Sequence, residues 1–567
     1  MFLKSLNIFL LLIADVALHT VQVKVEQGTV IGIRLSTVFE KKLYYAFYGV
    51  PYAQPPVGEL RFKDPKPAKK WETPFDASLE YHGACSQAHI VHKQGLYGFE
   101  NCLNMNIYTP HLPKDGNNNL KPVIVWIHGY AFTSSFSHIH GADFIINNDV
   151  LFVSVTHRIG VFGFLKKNET DTHANMGLKD IVRALQWIRR NIKKFGGDHN
   201  QITVMGNGSA STFLSILLMT KFKKLFSKMI LHSGALYSPS LFQTDHILER
   251  DRLLKALKKI TLDDLDTAQT KDIILASANI YTSKELINFQ RPIIPFMPTL
   301  EEKSKMALVT NDPLKENLKH NTPILIGFNS QESISEAIPF IHNPRFLKSF
   351  EAFFKFMVPF TGKCRYNYTS KKYTEISDKI KNKYFAGSIT EHSLDNFLRY
   401  VSDLLIYPIL QFINTSLNKK KDNMYVYKFN YVGNFSAVKR NSLANANVRV
   451  KGAAAGDEIC YVLKCEPLWE DYVRIIPDAN NKDRRLIAEM ANLWSNFAKT
   501  GKPTLSVSTE TFSWPPITLG DKKIAVISNN IKLSSMKLEQ EKFSFWKDIY
   551  DNYYADERCN KNDHDEL

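Results

Sequence analysis

The chain has 567 residues, of which 44% are hydrophobic and 12% aromatic, so it has enough apolar side chain to bury a large core. This composition excludes a disordered protein, and 24 prolines and 26 glycines without a fixed period exclude collagen-like and low-complexity architectures. Lysine and arginine outnumber aspartate and glutamate by 72 to 56, a formal charge of +16. The basic residues are scattered, and their tightest run is only Lys419–Lys421. The charge therefore predicts a solvated basic surface and no nucleic-acid partner.

The N-terminal stretch is typical of a signal peptide. Met1–Lys4 carries a positive charge, and Leu6–Leu18 is mostly apolar, interrupted by one asparagine and one aspartate. The stretch is too short to cross a bilayer, and its carboxylate disfavours a retained anchor. The alternative is an N-terminal strand or core helix, which the lack of an amphipathic period disfavours. We expect residues 1–20 to be the signal peptide, with cleavage near Thr20.

Short β-rich runs alternate with helical patterns along the chain. This alternation predicts a mostly parallel sheet with helices on both faces. The clearest helix follows the second run and is stopped by Gly196 and Gly197. The six runs are Val123–Ile127, Leu151–Val155, Ile202–Met205, Lys228–Leu231, Ile324–Ile326 and Met424–Phe429. The apolar face of the helix is formed by Leu178, Ile181, Val182, Leu185, Ile188 and Ile192.

Two longer regions, 247–312 and 346–397, are helical and polar by pattern. We expect them to be helical insertions over one rim of the sheet. No linker rich in glycine, proline or serine divides the chain, and no repeat of fixed period occurs. The sequence therefore predicts one α/β domain over residues 21–560, followed by a tail at 561–567. It leaves the oligomeric state open.

Cysteines and glycosylation sequons both fit a protein of the secretory pathway. Six cysteines are compatible with an oxidising compartment but too few to hold a chain of this length together. A further sequon at Asn207 lies between a predicted strand and a helix start, and we expect no glycan there. The cysteines are Cys85, Cys102, Cys364, Cys460, Cys465 and Cys559, and the predicted glycan acceptors are Asn168, Asn367, Asn414 and Asn434.

The last four residues, His564–Leu567, match the retrieval address of the endoplasmic reticulum. This address works only at the C-terminus of a protein inside the secretory pathway, and the predicted signal peptide supplies that context. We therefore predict residence in the lumen of the endoplasmic reticulum, with the retrieval receptor as a partner. Secretion is the alternative. No other segment is apolar enough to be a transmembrane span.

Several motifs together make the chain resemble the type-B carboxylesterases, a family that includes the cholinesterases and the insect α-esterases. The matches run in family order from about Val25 to Trp546. They are YGVPYAQPPVGELRF (Tyr48–Phe62), FENCLNMNIY (Phe99–Tyr108), VIVWIHG (Val123–Gly129), HRIGVFGFL (His157–Leu165), ALQWIRRNIKKFGGDHNQITVMG (Ala184–Gly206) and WSNFAKTGKP (Trp494–Pro503).

This resemblance implies an α/β-hydrolase fold with a mostly parallel central sheet, and we expect no cofactor and no metal. It also implies a disulfide between Cys85 and Cys102 and a structural ion pair between Arg61 and Glu100. The alternative for the ion pair is an exposed contact worth little. The pairing of the other four cysteines stays open.

The nucleophile of this fold lies on a sharp strand-to-helix elbow written G-x-S-x-G. Here Gly206–Ala210 follows the predicted strand, and the gapless match puts Gly208 at the position of the serine. Ser209 is a possible surrogate, but a shift of one residue would turn its hydroxyl away from the crest of the elbow. The simpler interpretation of Ser209 is a helix-start residue that bonds a free backbone amide.

The other two members of a triad are a histidine base and an acid that orients it. By resemblance the base belongs in the segment Gly452–Glu458, where Ala455 occupies the histidine position and cannot accept a proton. The acid position is occupied by Glu332. Without a histidine beside it, we expect this carboxylate to be solvated or bonded to another partner, or to have a raised pKa.

The oxyanion loop of active members reads H-G-G-G-F, whose glycines let backbone amides approach the substrate oxygen. This chain has His128, Gly129, Tyr130, Ala131 and Phe132. Two of the three glycines are replaced, so presentation of the amides is doubtful. The oxyanion-loop positions by resemblance are Gly129, Tyr130, Ala131 and Ser209.

Loss of a triad nucleophile or base costs on the order of a millionfold in turnover. With both positions substituted, we predict a non-hydrolytic homologue that binds a small apolar or ester-like ligand in the gorge, or a protein partner. One alternative is an active carboxylic ester hydrolase that uses a surrogate nucleophile such as Ser209. Another is adhesion or signalling through an esterase-like ectodomain, as in inactive relatives of the family.

Overall fold

The structure is a computed structural model. The predicted signal peptide up to residue 19, the tail 561–567, Asn367, Cys364 and Cys559 lie outside the described residues. Those described are residues 20–80, 83–88, 96–113, 119–237, 246–281, 294–313, 318, 320–353, 358–359, 366, 370–386, 388–417, 423–504 and 512–554.

Thirteen strands of the described residues build one large sheet. Its order is β1-β2-β3-β5-β8-β6-β9-β10-β11-β12-β14-β15, with β4 paired to β2. The run from β8 through β6 to β14 is parallel, and antiparallel strands flank it. The strands are β1 (Thr20–Val25), β2 (Gly28–Ser36), β3 (Leu43–Pro51), β4 (Phe75–Asp76), β5 (Asn104–Thr109), β6 (Lys121–Ile127), β7 (His140–Gly141), β8 (Leu151–Val155), β9 (Gly197–Asn207), β10 (Lys228–His232), β11 (Ile324–Asn329), β12 (Met424–Phe429), β13 (Lys464–Cys465), β14 (Lys523–Ile527) and β15 (Ile531–Ser535). A separate antiparallel pair joins β7 to β13.

Helices cover the sheet. The α-helices are α1 (Asp143–Asn147), α2 (Gly160–Phe164), α3 (Met176–Asn191), α4 (Ser209–Leu217), α5 (His246–Leu257), α6 (Asp264–Thr267), α7 (Thr270–Ala278), α8 (Ile338–His342), α9 (Phe346–Phe353), α10 (Lys371–Phe385), α11 (Leu394–Leu417), α12 (Ala437–Ser442), α13 (Ile459–Val462), α14 (Trp469–Arg474), α15 (Lys482–Thr500) and α16 (Lys537–Tyr553). Short 3-10 turns lie at Gly58–Leu60, Ser137–Ile139, Ile192–Phe195, Lys221–Leu225 and Glu466–Leu468.

The mostly parallel sheet predicted from the sequence is confirmed, because the six predicted runs are β6, β8, β9, β10, β11 and β12. The antiparallel flanks were not predicted. In β1 the valines of T-V-Q-V-K-V alternate, and Val23 and Val25 are buried, so the pattern of a half-buried strand was present in the sequence.

The predicted central helix is α3, and its apolar face packs fully into the core. The six predicted face residues are at most 1% exposed. The helix tightens into a 3-10 turn and ends at Gly196, whose left-handed φ of 86° closes the end. Gly197 already begins β9, so only the first of the two glycines acts as the stop.

The first predicted helical region is shorter than expected, whereas the described residues of the second, 346–397, are largely helical. In the region 247–312 the described helices end with α7 at Ala278, and residues 294–313 contain no helix. Pro295 and Pro298 disfavour a helix at the start of this segment, because each proline removes a backbone donor and disfavours helix in the residue before it. Side-chain bonds hold part of this segment instead, since Asn175 Nδ2 donates to the Thr299 carbonyl at 2.8 Å.

The sheet separates two large hydrophobic clusters. Along β6, Val123, Val125 and Ile127 belong to one cluster, while Ile124 and Trp126 belong to the other. This alternation follows the two-residue period of a strand. Both faces of the central sheet are therefore buried, as expected for parallel strands covered by helices.

Disulfides and a buried ion pair fix the loops around the sheet. The Cys85–Cys102 disulfide is present, and a second disulfide joins Cys460 to Cys465. Arg61 donates to Glu100 from Nε at 2.8 Å and from Nη2 at 2.7 Å, and the two side chains are only 11% and 9% exposed. Arg61 Nη1 also donates to three carbonyls, those of Leu265, Asp266 and Ala268. The pair is thus an extensively bonded contact and not an exposed one.

Among the described residues, no helix combines the length and the apolar character that crossing a bilayer requires.

Candidate functional site

The carboxyl ends of the parallel strands meet at one edge of the sheet, where open α/β sheets bind their ligands. At the end of β9 the chain turns sharply into α4 at Gly208, with φ 56° and ψ −121°. A β-carbon built on Gly208 would meet only the Gly129 carbonyl, at 3.3 Å. The crest of the elbow therefore has room for a side chain, but glycine places only an α-hydrogen there.

Hydrogen bonds and a close backbone approach fix the elbow against the end of β10. The Gly208 amide donates to the His232 carbonyl at 2.9 Å. The hydroxyl of Ser211 donates to the carbonyls of Gly206 at 2.7 Å and His232 at 2.9 Å. A β-carbon on Gly234 would lie 2.2 Å from the Gly208 carbonyl oxygen, so that approach requires glycine. The strained turn is formed although the position carries no nucleophile.

Ser209 is the first residue of α4, and its side chain is buried. Its Oγ accepts a hydrogen bond from the Phe132 amide at 3.1 Å. Among the described residues this amide is its hydrogen-bond partner, and no histidine nitrogen lies within hydrogen-bonding distance of it. The hydroxyl thus holds the oxyanion loop and lacks the base that activation would require.

The oxyanion loop has two consecutive residues in the left-handed region, Ala131 at φ 49° and Phe132 at φ 59°. The Tyr130 amide donates to the Ser134 carbonyl at 2.9 Å, and the Phe132 amide donates to Ser209. Two loop amides are therefore already bonded within the protein. Tyr130 is one of the four predicted oxyanion-loop positions, so one of the amides expected to face a substrate oxygen is bonded within the protein instead.

The positions predicted for the acid and the base lie on neighbouring loops. The Gln331 amide donates to the Ala453 carbonyl at 2.9 Å, and the Ala453 amide donates to Ser330 Oγ at 2.9 Å. These two bonds join the turn after β11, which carries Glu332, to the turn that carries Ala455. Ala455 is half-buried and supplies a methyl group where a triad has an imidazole.

Glu332 is 3% exposed and is bonded to partners other than a histidine. Its Oε1 accepts from Ser233 Oγ at 2.9 Å and from the Asn329 amide at 2.5 Å. Burial, with the nearby Glu458 carboxylate, raises the pKa of Glu332 to about 8. The carboxyl group is therefore mostly protonated at neutral pH, unlike the ionised acid that a triad histidine needs.

A buried polar network that the sequence did not predict lies beside Glu332. Glu458 Oε1 is 3.1 Å from His232 Nδ1, and Glu458 Oε2 accepts from Asn329 Nδ2 at 2.7 Å. Tyr427 OH lies 2.6 Å from His232 Nδ1, and Trp494 Nε1 donates to His232 Nε2 at 3.3 Å. Both ring nitrogens of His232 are thus bonded to protein groups, so this histidine is not a replacement base. The one sequence feature that could have indicated a buried histidine at the site is that His232 directly follows the apolar run of β10.

A second titratable carboxyl group belongs to the same loop. Asp457 is fully buried and accepts from the Ala454 amide at 2.8 Å and the Lys439 amide at 3.0 Å. Burial raises the pKa of Asp457 to about 7. Among the described residues, no cluster of histidine, cysteine or carboxylate side chains has the arrangement of a metal site.

The predicted glycan acceptors differ in exposure. Asn168 and Asn434 are exposed, whereas Asn414 lies inside α11, is half-buried, and accepts from Lys522 Nζ at 3.0 Å. Asn207, at the end of β9, is half-buried beside the elbow. Of these positions Asn168 and Asn434 offer the most room for a glycan, and glycosylation stays a prediction.

Comparison with known proteins agrees with this architecture. The sequence model described as "Carboxylesterase family" matches residues 19–546. The chain is 27% identical over 527 residues to venom carboxylesterase-6 of Apis mellifera, covering 90% of each protein. It is 29% identical over 490 residues to the juvenile hormone esterase of Heliothis virescens, covering 83% of this chain and 84% of that protein.

A solved structure shares the fold. It is the juvenile hormone esterase of Manduca sexta with OTFP covalently attached, with a TM-score of 0.79 and 24% identity. The match covers 94% of this chain and 100% of the Manduca chain. The α/β-hydrolase fold predicted from the sequence is confirmed by this likeness.

Proposed function

This chain belongs to the carboxylesterase family, and from that premise we propose that it is a non-hydrolytic member that binds a small apolar or ester-like ligand at the elbow without cleaving it. The observation that carries the proposal is Gly208, which occupies the crest of a fully formed elbow without a hydroxyl. Ala455 supplies no base, and the amides of Tyr130 and Phe132 are bonded within the protein. The nucleophile and the base are thus both missing at one site, and the Tyr130 amide of the oxyanion loop is already bonded.

The ligand class follows from the chemistry that the site retains. At neutral pH Glu332 is mostly a neutral carboxylic acid, which donates a hydrogen bond as well as accepting one. A neutral molecule with a carbonyl or ester group suits this environment better than an ion, since burying an unpaired charge is costly. The names of its relatives, a carboxylesterase and a juvenile hormone esterase, support an ester-like ligand, which here would be held without a covalent bond.

Hydrolysis through Ser209 is the alternative that the site supports least. Its hydroxyl accepts from the Phe132 amide and has no base within reach among the described residues. His232 is bonded at both ring nitrogens. A working enzyme would need a rearrangement of the elbow and of the oxyanion loop together.

An assay of turnover and binding on the purified protein tests the proposal. With 4-nitrophenyl acetate we expect no hydrolysis above that of the heat-denatured protein, because nucleophile and base are both missing. With a non-hydrolysable ketone analogue of an ester we expect saturable quenching of tryptophan fluorescence, since Trp126 and Trp494 lie close beneath the site. Turnover that an organophosphate abolishes would refute the proposal, and absence of any binding would leave only a role in protein partnership.

We also propose retention in the lumen of the endoplasmic reticulum, with the predicted signal peptide and His564–Leu567 as support. Deleting these four C-terminal residues should convert an intracellular, endoglycosidase H-sensitive protein into a secreted one. The matched control is deletion of the four preceding residues, 560–563, which leaves the address in place. Equal secretion of the two deletion variants and the unaltered protein would contradict retention.

A further inference from the structure

Basic residues that are scattered along the sequence form one cluster on the surface of the fold. Residues 189–194 end α3 and enter the 3-10 turn after it, and residues 221–224 form the 3-10 turn before β10. Arg189 Nη1 donates to the Lys224 carbonyl at 3.3 Å, which joins the two segments, and Lys221 Nζ donates to the Lys305 carbonyl at 2.8 Å. We call this cluster the basic band. Its members are Arg189, Arg190, Lys193, Lys194, Lys221, Lys223, Lys224 and Lys305.

The cations of the basic band face solvent and are mostly unpaired. Arg189 is half-buried, and the other seven members are exposed. Among the described residues only Arg190 of the band forms an ion pair, with Glu26 at 3.2 Å. Asp198 and Glu302 lie close to the band in sequence, and in the described part of the chain neither is ion-paired to it. The band therefore keeps a large net positive charge.

The basic band lies at the edge of the sheet opposite the elbow. The turn Ile192–Phe195 leads directly into β9, and the turn Lys221–Leu225 precedes β10. Since β9 and β10 are parallel neighbours, both turns lie at the amino ends of these strands. Gly208 follows the carboxyl end of β9. A partner on the band would therefore leave the elbow uncovered.

Helix ends explain only part of the band. Arg189 and Arg190 lie in the last turn of α3, where basic side chains interact favourably with the terminal carbonyls. Lys223 and Lys224 lie beyond the end of α4, and Lys305 belongs to no helix. The concentration of unpaired charge thus exceeds what the helix ends require.

The surroundings of the charges indicate the kind of partner. Among the described residues, none of the exposed large apolar side chains lies in either basic segment. A folded protein partner is disfavoured, because protein interfaces are centred on buried aromatic and apolar anchors. A membrane is disfavoured for the same reason, and because the anionic leaflet is the cytoplasmic one, whereas the chain is predicted to enter the secretory pathway. Short lysine- and arginine-rich segments are typical of patches that bind heparin-like polyanions.

We propose that the basic band binds a linear sulfated polysaccharide. Sulfate groups along such a chain would supply the anions that seven of the eight cations lack, and release of counterions would favour binding. The inference does not rest on the proposed function, because the band and the elbow lie at opposite edges of the sheet. It is compatible with retrieval, since a retrieval address returns a protein that has already moved along the secretory pathway.

Titration of a fluorescently labelled heparin octasaccharide, read by anisotropy at two salt concentrations, tests the proposal. The band variant combines Lys193→Gln, Lys194→Gln, Lys223→Gln and Lys224→Gln, all at exposed positions. We expect its Kd to rise by about tenfold, because four exposed charge contacts are lost. Its affinity should also depend less steeply on salt, since fewer counterions are released.

A matched control separates clustering from net charge. It combines Lys255→Gln, Lys348→Gln, Lys502→Gln and Lys532→Gln, which are exposed, lie outside the band and remove the same total charge. Its Kd should stay within about twofold of the wild type. Replacing the four band lysines with arginine should likewise preserve binding, because the charge is kept. If the band variant folds poorly, Lys193→Glu with Lys223→Glu takes its place and should weaken binding to the same degree.

Four results would overturn the proposal. Absence of saturable binding by the wild type would remove the site, and equal weakening in the control would assign binding to net charge alone. Equal affinity for desulfated heparin or for an oligoglutamate peptide would exclude sulfate recognition. Tighter binding to phosphatidylserine vesicles than to the octasaccharide would assign the band to a membrane. Ester hydrolysis by the wild type would refute the proposed function and leave this result unaffected, because the titration involves no ester.

Discussion

The combined substitution Gly208→Ser and Ala455→His is expected to create measurable ester hydrolysis in a protein that we propose to be non-hydrolytic. The elbow at position 208 already has φ 56° and ψ −121°, and the β-carbon of a serine would meet only one atom, at 3.3 Å. Glu332 lies on the loop bonded to the Ala453 segment, where the acid of a triad is needed. The scaffold is therefore preorganised for the missing side chains.

The expected gain is limited by the oxyanion loop. A triad accounts for on the order of 10⁶ in turnover, and a lost oxyanion donor costs about 10²–10³. The double variant should therefore exceed the wild type by roughly 10³-fold with 4-nitrophenyl acetate. Adding Tyr130→Gly should raise the rate of hydrolysis further, because it removes the phenol ring and restores the glycine that active members have at this loop position.

A matched control separates chemistry from strain. Gly208→Ala with Ala455→His places a β-carbon at the same left-handed position but no hydroxyl, so its hydrolysis should stay at the wild-type background. Gly208→Ser alone should lie close to this control because it lacks a base. If the control equalled the serine-containing double variant, the elbow would not be the site of the reaction.

The stability of the protein is expected to fall as pH rises from about 4.5 to about 8. In the folded state the pKa of Glu332 is raised to about 8 from its ordinary value of 4.5, so the native protein binds a proton that the unfolded chain releases. The free energy of unfolding therefore decreases across this window, by about 1.4 kcal/mol per pH unit for each such group. Asp457, whose folded pKa is about 7, contributes in the same way, because below pH 7 the native protein also binds a proton at this residue.

Glu332→Gln tests this linkage directly. Glutamine resembles the protonated acid and can still accept from Ser233 and Asn329, so the variant should lose the Glu332 share of the pH dependence. Between pH 5 and 7 its slope should be about half that of the wild type, and at pH 8 the variant should be the more stable protein. Urea unfolding at fixed pH values measures both. Glu59→Gln, at an exposed position, is the control and should leave the slope unchanged; an unchanged slope in Glu332→Gln would contradict the account.

Much of the fold could be predicted from local pattern. The parallel strands are continuous apolar runs, and α3 shows a helical period, so both follow from short stretches of sequence. The antiparallel strands at the N-terminus were not predicted, because a short alternation of apolar and polar residues is a weaker strand signal than a continuous apolar run. Residues 294–313 were predicted as part of a helical region and contain no helix, although Pro295 and Pro298 disfavour helix at their start.

The site could be predicted only in part. Motif spacing identified Gly208, Glu332 and Ala455, since each lies in a short segment typical of the family. The hydrogen bonds from Tyr130 to Glu336 and from Phe132 to Ser209 join residues far apart in the chain, at separations of 206 and 77. Such contacts are set by the sheet order, which single residues do not reveal. The same holds for Glu458 and His232, which no local motif connects.

Glu332 shows how the fold accommodates a triad acid that has no histidine beside it. The sequence predicted a solvated or rebonded carboxylate, or one with a raised pKa. The structure keeps the side chain buried, bonds it to Ser233 and the Asn329 amide, and raises its pKa. A buried acid without a cation is most stable in its neutral form.

The most direct test of the central claim is fluorophosphonate labelling of the folded wild-type protein, read by intact mass and peptide mapping. The Gly208→Ser and Ala455→His double variant serves as the positive control. We predict no adduct on the wild type and one adduct per chain on the double variant. A stoichiometric wild-type adduct on Ser209, or on any other serine of the elbow, would contradict the claim that this site has no working nucleophile.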